Sequence, residues 1–222
     1  MNEGIVQGKA TRIAEGYRPR VLDLFSGCGG LSLGFLKAGY QITGAIEIDE
    51  KAALSHARNF YRDNEGLVEL HGKPRDITNL EPDEFANELK LGDIKRAIDV
   101  IIGGPPCQAY ARVGRAKLRE IREHPEAFKV DPRADLYLRY LQYVEEFMPL
   151  AILMENVPDI LNHGGRNVVQ EMVETLDDMG YVARYSLINS VHYGVPQIEK
   201  LRQSDVLRIG WPLSLRARDP LA

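Results

Sequence analysis

A strand pattern near the N-terminus runs directly into a glycine cluster. Arg20-Val21-Leu22-Asp23-Leu24-Phe25 is followed by Ser26, then by Gly27, Gly29 and Gly30. Apolar residues at helical spacing take over from Leu31 to Ala38, and Gly39 stands where a helix C-terminal cap belongs. A strand, a tight glycine turn and a helix in that order predict an α/β unit. At such a turn the backbone passes close to a ligand, because glycine has no side chain to block it.

The rest of the chain repeats the alternation of short apolar runs with longer amphipathic ones. Ile42 to Ile48 predicts a second strand, and Asp49 caps the helix that holds Ala52, Ala53, His56 and Ala57. Val68 to His71 reads as a weak third strand, and Pro82 as the first residue of a helix reaching Leu91. Ile98 to Ile102 predicts a fourth strand that enters Gly103-Gly104-Pro105-Pro106, and the basic stretch from Cys107 to Pro132 a mobile loop. Helices are expected over Leu136 to Met148 and Asn167 to Met179, the latter closed by Gly180. Strands are expected over Leu150 to Met154, Val182 to Ile188 and Val206 to Ile209. This pattern is an open, mostly parallel α/β sheet with ligands at the C-terminal ends of its strands. Residues 1–18 read as an N-terminal tail, 19–211 as the domain and 212–222 as an unassigned tail.

Composition narrows the functional classes. Hydrophobic residues are 44% and charged residues 27% of 222, ordinary values for a globular protein. No run approaches the ~18 apolar residues of a membrane span, and Met1 to Arg18 has no apolar signal region. Two cysteines, Cys28 and Cys107, form neither a disulfide framework nor a four-ligand zinc site, so a cytoplasmic setting is expected. The histidines, at 56, 71, 124, 163 and 192, show no metal-ligand spacing and are expected at the surface or as caps. A net charge of −4 does not advertise a nucleic-acid binder, although binding depends on where the charge sits.

Two places carry chemistry. Glu47 lies about twenty residues beyond the glycine turn, where an acidic residue can bond both ribose hydroxyls, so an adenosine-containing cofactor fits. The spacing alone does not separate S-adenosylmethionine from NAD, although Gly-x-Gly-Gly lacks the third glycine of the dinucleotide pattern. Asp76 offers an acceptor suited to an adenine amino group. Further on, two prolines precede Cys107; they fix the backbone and bar a helix from starting, which holds the thiol at the sheet edge as a candidate nucleophile.

The stretch Asp23-Leu24-Phe25-Ser26-Gly27-Cys28-Gly29-Gly30-Leu31-Ser32 resembles the first motif of the DNA (cytosine-5)-methyltransferases. Gly103-Gly104-Pro105-Pro106-Cys107-Gln108 resembles their catalytic motif, and Glu155-Asn156-Val157 their Glu-Asn-Val motif. The resemblance runs from about Pro19 to Gln197. It implies a Rossmann-like methyltransferase fold with helices on both faces of the sheet, and S-adenosyl-L-methionine as cofactor. Phe25 would pack on adenine, the Ser26, Gly27, Gly29 and Leu31 backbone would hold the methionine moiety, and Glu47 and Asp76 would bind ribose and adenine. Ile48, Ile77 and Pro106 complete the implied cofactor set. Cys107 would add to carbon 6 of cytosine, and Glu155 would bond or protonate ring nitrogen 3. Gln108, Arg112, Arg115 and Asn156 would contact the flipped-out base or its backbone. The same basic loop, interrupted by Glu120 and Glu123, reads equally well as a solvated face.

The sequence departs from that family at three points. Ala111 stands where a serine is usual, and Gln197-Ile198-Glu199-Lys200-Leu201 replaces a Gln-x-Arg-x-Arg pattern. After that the chain reaches Ala222 without a target-recognition region or a closing segment. A methyltransferase module completed by a second chain is therefore expected, acting on double-stranded DNA with neither membrane nor metal. By itself the chain is expected not to methylate DNA. A non-catalytic remnant that keeps cofactor binding and a transfer-RNA cytosine-5 methyltransferase are the other readings. If Cys107 is the nucleophile, limited alkylation followed by mass spectrometry should label it before Cys28; faster labelling of Cys28 counts against the assignment.

Overall fold

The computed structural model describes residues 3–106, 135–156, 168–188, 193 and 204–212. It divides into two compact units. Residues 1–104 and 139–152 make up the first, and residues 105–138 and 153–222 the second.

The first unit is built on three parallel strands: β1 (Arg20–Leu24), β2 (Gln41–Ile46) and β3 (Val100–Gly103). β1 lies between the other two, with Leu24 opposite Ile46 on one side and Gly103 on the other. Val21, Leu22, Leu24, Ile101 and Ile102 are wholly buried, as expected of parallel strands covered on both faces. α2 (Gly30–Lys37) returns from β1 to β2, and α3 (Glu50–Tyr61) follows β2. Asp49 caps α3 as expected, its carboxylate accepting from the Ala52 N–H at 2.8 Å.

α4 (Glu65–His71) corrects the sequence reading, which placed a strand at Val68 to His71. Val-Glu-Leu-His alternates like a strand, yet Val68 and His71, three apart, are the buried pair, which is helical spacing. Asn64 starts the helix by accepting from the Leu67 N–H at 3.1 Å. α5 (Pro82–Glu88) has Pro82 in its first turn, and the Glu84 carboxylate reaches back to the Glu81 N–H at 3.3 Å. It stops short of Leu91 because Lys90 and Gly92 have positive φ. α6 (Ile94–Ala97) leads into β3, which begins two residues later than expected.

The stretch read as an N-terminal tail contains α1 (Glu3–Ala14), whose Val6 and Lys9 are buried. α7 (Asp135–Phe147) gives its Tyr140, Leu141, Tyr143, Val144 and Phe147 to the core of the first unit. The Tyr143 and Phe85 rings meet edge-on, with centroids 6.3 Å apart. Lys9 ties the two ends of this unit together. Its ammonium donates to the carbonyls of Phe147 at 2.8 Å, Met148 at 2.9 Å and Ile98 at 2.5 Å. The first two are carbonyls at the end of α7, which have no partner within their own helix. Nearby, the buried Asp99 carboxylate receives Arg12 and the Arg20 N–H, the latter at 2.7 Å.

β4 (Ala151–Asn156) begins in the first unit, where the Leu150 N–H bonds the Asp99 carbonyl at 2.7 Å, and continues into the second. The strand runs two residues past Met154, so Glu155 and Asn156 belong to it. In the second unit α8 (Val168–Asp178) packs on β5 (Tyr181–Ile188) with Val169, Met172 and Leu176 buried. β5 pairs antiparallel with β6 (Ser204–Pro212), which takes in Trp211 and Pro212 beyond the expected Ile209. The expected loop from Cys107 to Pro132 lies outside the described residues.

Lys9→Met should lower unfolding stability by about 1–3 kcal/mol. The substitution keeps an unbranched side chain of comparable length but strips three carbonyls of their donor, two of them buried. Urea titration measures the loss, and an unchanged midpoint would show that these hydrogen bonds contribute nothing.

Candidate cofactor and active site

The chain leaves β1 through a sharp turn. Phe25 has φ 61°, a left-handed conformation unusual for a residue with a side chain, followed by Gly27 at 51° and Gly29 at 96°. The turn is held at both ends: the Ser26 N–H donates to the Ile46 carbonyl at 3.2 Å, and the Gly29 N–H to the Ser26 carbonyl at 2.9 Å. Gly29 also answers a packing constraint. A Cβ there would lie 2.4 Å from the Phe60 ring and 2.9 Å from His56. Gly103, opposite Leu24, is as constrained, since a Cβ would meet the Leu24 carbonyl oxygen at 2.2 Å.

Glu47 has a place in the fold that its spacing did not reveal. One carboxylate oxygen accepts from the Gly27 N–H at 2.8 Å and the other from the Asp49 N–H at 2.9 Å. It therefore ties the glycine turn to the start of α3, and each oxygen keeps a further lone pair. Ile48, next to it, is 66% exposed. The Arg75 N–H bonds the Glu47 carbonyl at 2.6 Å, which brings Asp76 alongside. The half-buried Asp76 carboxylate accepts from the Thr78 N–H at 2.9 Å, its hydroxyl at 2.7 Å and the Asn79 amide at 2.8 Å. Ile77 differs from expectation: its side chain is in the core, and Arg139 takes its carbonyl at 2.8 Å.

In the first unit the structure thus gathers Phe25, Ser26, Gly27, Gly29, Glu47, Ile48 and Asp76 around one strand edge. Phe25 and Leu31 are half-buried, and Ser26 is buried. Two arginines that the sequence reading passed over support this edge. Arg75 donates to the carbonyls of Leu70 at 2.7 Å and Lys73 at 3.1 Å and pairs with Glu88 at 3.0 Å. Arg139 donates to the carbonyls of Ile77 and Leu80 and pairs with Glu81 at 2.9 Å. A third missed group is the Asp23, Ser32 and His56 cluster, wholly buried beneath the turn. A charged residue inside the apolar run Val21-Leu22-Asp23-Leu24 was the signal for it. His56 and His71 are both buried, not superficial, and His71 stacks on Tyr61 at 3.9 Å between centroids.

In the second unit, Pro105 is buried and Pro106 exposed. The Asn156 amide donates to the Pro105 carbonyl at 2.7 Å, so this side chain, expected to contact substrate, fixes the proline segment before Cys107. Glu155 precedes it in β4, and partial burial pushes its carboxyl above the ordinary range, favouring the protonated form. Cys107, Gln108, Arg112 and Arg115 lie outside the described residues. Cys28 is exposed, so any preference of an alkylating reagent for Cys107 reflects nucleophilicity rather than access. Among the described residues no helix is long and apolar enough to cross a membrane, and no three His, Cys, Asp or Glu side chains converge on a metal position.

The family model of the C-5 cytosine-specific DNA methylases matches residues 19–200. The Oceanobacillus iheyensis protein M.OihORF3336P is 41% identical over 179 residues, which are 81% of this chain and 37% of that protein. The type II methyltransferase M.NgoPII of Neisseria gonorrhoeae is 34% identical over 185 residues, 83% of this chain and 47% of that protein. This chain therefore spans less than half the length of these relatives. A crystal structure of a prophage-encoded E. coli protein assigned to the DNA modification methyltransferases superposes with a TM-score of 0.64. It is 31% identical, covering 89% of this chain and 48% of that one. The S. pombe methyltransferase Dnmt2, at 22% identity and a TM-score of 0.57, shares the fold, over 88% of this chain and 50% of that one.

Gly29→Ala should cost more than Gly27→Ala in thermal unfolding. Both carry the strain of positive φ, about 1–3 kcal/mol, but only at position 29 does the new methyl meet a ring. Equal losses would show that Phe60 and His56 yield without cost.

Proposed function

The chain belongs to the C-5 cytosine-specific DNA methylases, and from that membership we propose that it binds S-adenosylmethionine at the glycine turn and carries the nucleophile for methylation of carbon 5 of cytosine in DNA. The observation that carries the reading is the Glu47 carboxylate bonded to the Gly27 N–H, with Ile48 exposed beside it and Asp76 alongside. This donor set fits an adenosine. Glu47 keeps lone pairs for ribose hydroxyls, Ile48 and Phe25 offer apolar faces for a purine ring, and Asp76 has an acceptor for an amino group.

When bound, the cofactor supplies an electrophilic methyl group on a sulfonium. The remaining work falls to side chains. The Cys107 thiolate adds to carbon 6, which makes carbon 5 enamine-like and nucleophilic. Glu155, with its raised carboxyl pKa, holds a proton at ring nitrogen 3 and stabilises the adduct. With the methyl group on carbon 5, loss of the carbon 5 proton to solvent restores the 5,6 double bond and expels the Cys107 thiolate. Asn156 holds the Pro105 carbonyl and so restricts the backbone before the thiol. The substrate cytosine leaves the duplex to be reached.

Calorimetry tests the cofactor site. S-adenosylmethionine should bind the wild-type chain, and Glu47→Ala should weaken binding by about 10- to 100-fold, the loss expected for hydrogen bonds to a charged group. Glu47→Gln, which keeps one acceptor, should fall between them. Equal affinity across the three folded proteins would remove the assignment.

A further inference from the structure

Beneath the glycine turn lies a group that the proposed chemistry leaves unused. Asp23, on the central strand, is 0% exposed, and its carboxylate accepts from Ser32 in the first turns of α2. The Ser32 hydroxyl is 2.6 Å from one Asp23 oxygen and 3.1 Å from Nε2 of His56. His56, 1% exposed, lies against Gly29 from below. The two outer atoms of this chain of bonds, Asp23 Oδ1 and His56 Nδ1, have no hydrogen-bond partner among the described residues. Among the described residues no cation accompanies the carboxylate. Glu47 faces it from the end of β2, His56 from α3 with His71 of α4 behind, and α2 brings only Ser32, its Lys37 being exposed. The facing stretch of β3, Val100–Gly103, contains no ionisable residue.

We infer that Asp23, linked through Ser32 to His56 under the glycine turn, is a positioning residue that releases a proton when a cationic cofactor occupies the turn, so that affinity for the sulfonium form relative to its neutral product rises with pH. The inference rests on the cofactor site proposed above. Asp23 stands two residues before Phe25, and α2, which carries Ser32, starts at the other end of the same turn. A positive charge placed there favours the ionised carboxylate, and the proton passes to solvent. S-adenosylhomocysteine, the demethylated product, lacks the sulfonium charge and provides no such drive.

Charge and burial place the titration in a usable range. Burial pushes the Asp23 carboxyl up to about 7, against the lowering effect of the Ser32 hydroxyl and N–H, and Glu47 raises it further. Burial pushes the His56 imidazole down to about 4, so it stays neutral in this range. The two hydrogen-bond directions differ by one proton. With Asp23 ionised, Nε2–H of His56 donates to Ser32, whose hydroxyl donates to the carboxylate. With Asp23 protonated, the order reverses and His56 changes tautomer. Because the folded pKa of Asp23 is raised, the stability it confers is full below the ordinary carboxylate pKa. That stability is lost as pH rises through about 7, so thermal melts accompany each binding measurement.

The test is calorimetry with S-adenosylmethionine and S-adenosylhomocysteine between about pH 6 and pH 8, in two buffers of different ionisation enthalpy. A linked pKa change of one unit gives an affinity ratio that rises about fivefold between these limits, toward a full tenfold at higher pH, with proton release seen only for the sulfonium ligand. Asp23→Asn keeps the shape and an acceptor for Ser32, and should flatten the ratio and abolish proton release. Ser32→Ala, which removes the link but leaves the carboxyl, should shift the midpoint without abolishing the slope. A purely structural Asp23 would change both affinities equally and leave no pH-dependent ratio, which overturns the inference while the cofactor site stands. Absence of binding by both ligands at every pH would overturn the cofactor site, and the inference with it.

Discussion

The 2.8 Å hydrogen bond from the Gly27 N–H to the Glu47 carboxylate joins the two halves of the first β-α-β unit at its functional edge. β1 and β2 lie side by side and Leu24 and Ile46 end together, so the turns that follow them bring backbone N–H groups close to each other. A carboxylate at position 47 accepts from both turns, at Gly27 and at Asp49. Without it, two N–H groups at the open end of a buried sheet would look for water. The left-handed Phe25 and the contact-limited Gly29 then follow: the turn must bring its backbone to that carboxylate and still feed α2.

Support for the adjoining Asp76 segment comes from outside regular structure. Residues 76–80 form neither helix nor strand, and the carbonyls of Ile77 and Leu80 are satisfied by Arg139, with Tyr143 also bonding Leu80 at 2.9 Å. Arg75 does the same for the turn before it. The planar guanidinium suits this use, since one rigid group reaches several acceptors. Each arginine has an acidic partner as well, Glu88 or Glu81, so neither charge is buried alone.

How much of this could be read from the sequence depended on the range of the forces involved. The β1 strand, the glycine turn, the Asp49 cap and Pro82 in the first turn of α5 are local signals, and each was legible. Val68 to His71 was misread because four residues cannot separate alternation from a helical pair; Asn64, four residues before the run, held the answer. The α1 helix escaped notice because its anchor is a lysine, a residue that sequence reading assigns to solvent. Lys9 finds its partners 89 to 139 residues away, and Arg139 finds the carbonyls and the carboxylate it serves 58 to 62 residues away. At the candidate site, Glu47 and Asp76 were legible as acceptors. Their restraint by Gly27, Thr78 and Asn79 was not, because spacing gives the residue and not the direction of its lone pairs.

The bonds from Lys9 to Phe147 and Met148 also bear on the order in which this unit assembles during synthesis. β1 and β2 can pair once Ile46 has left the ribosome, and β3 can join at Gly103. The Lys9 bonds to Phe147 and Met148 must wait for those residues, so at the usual pace of about 5–20 residues per second they form several seconds after the sheet has begun to form. The α1 helix is therefore held first by the segment before β3 and fastened to the end of α7 only later.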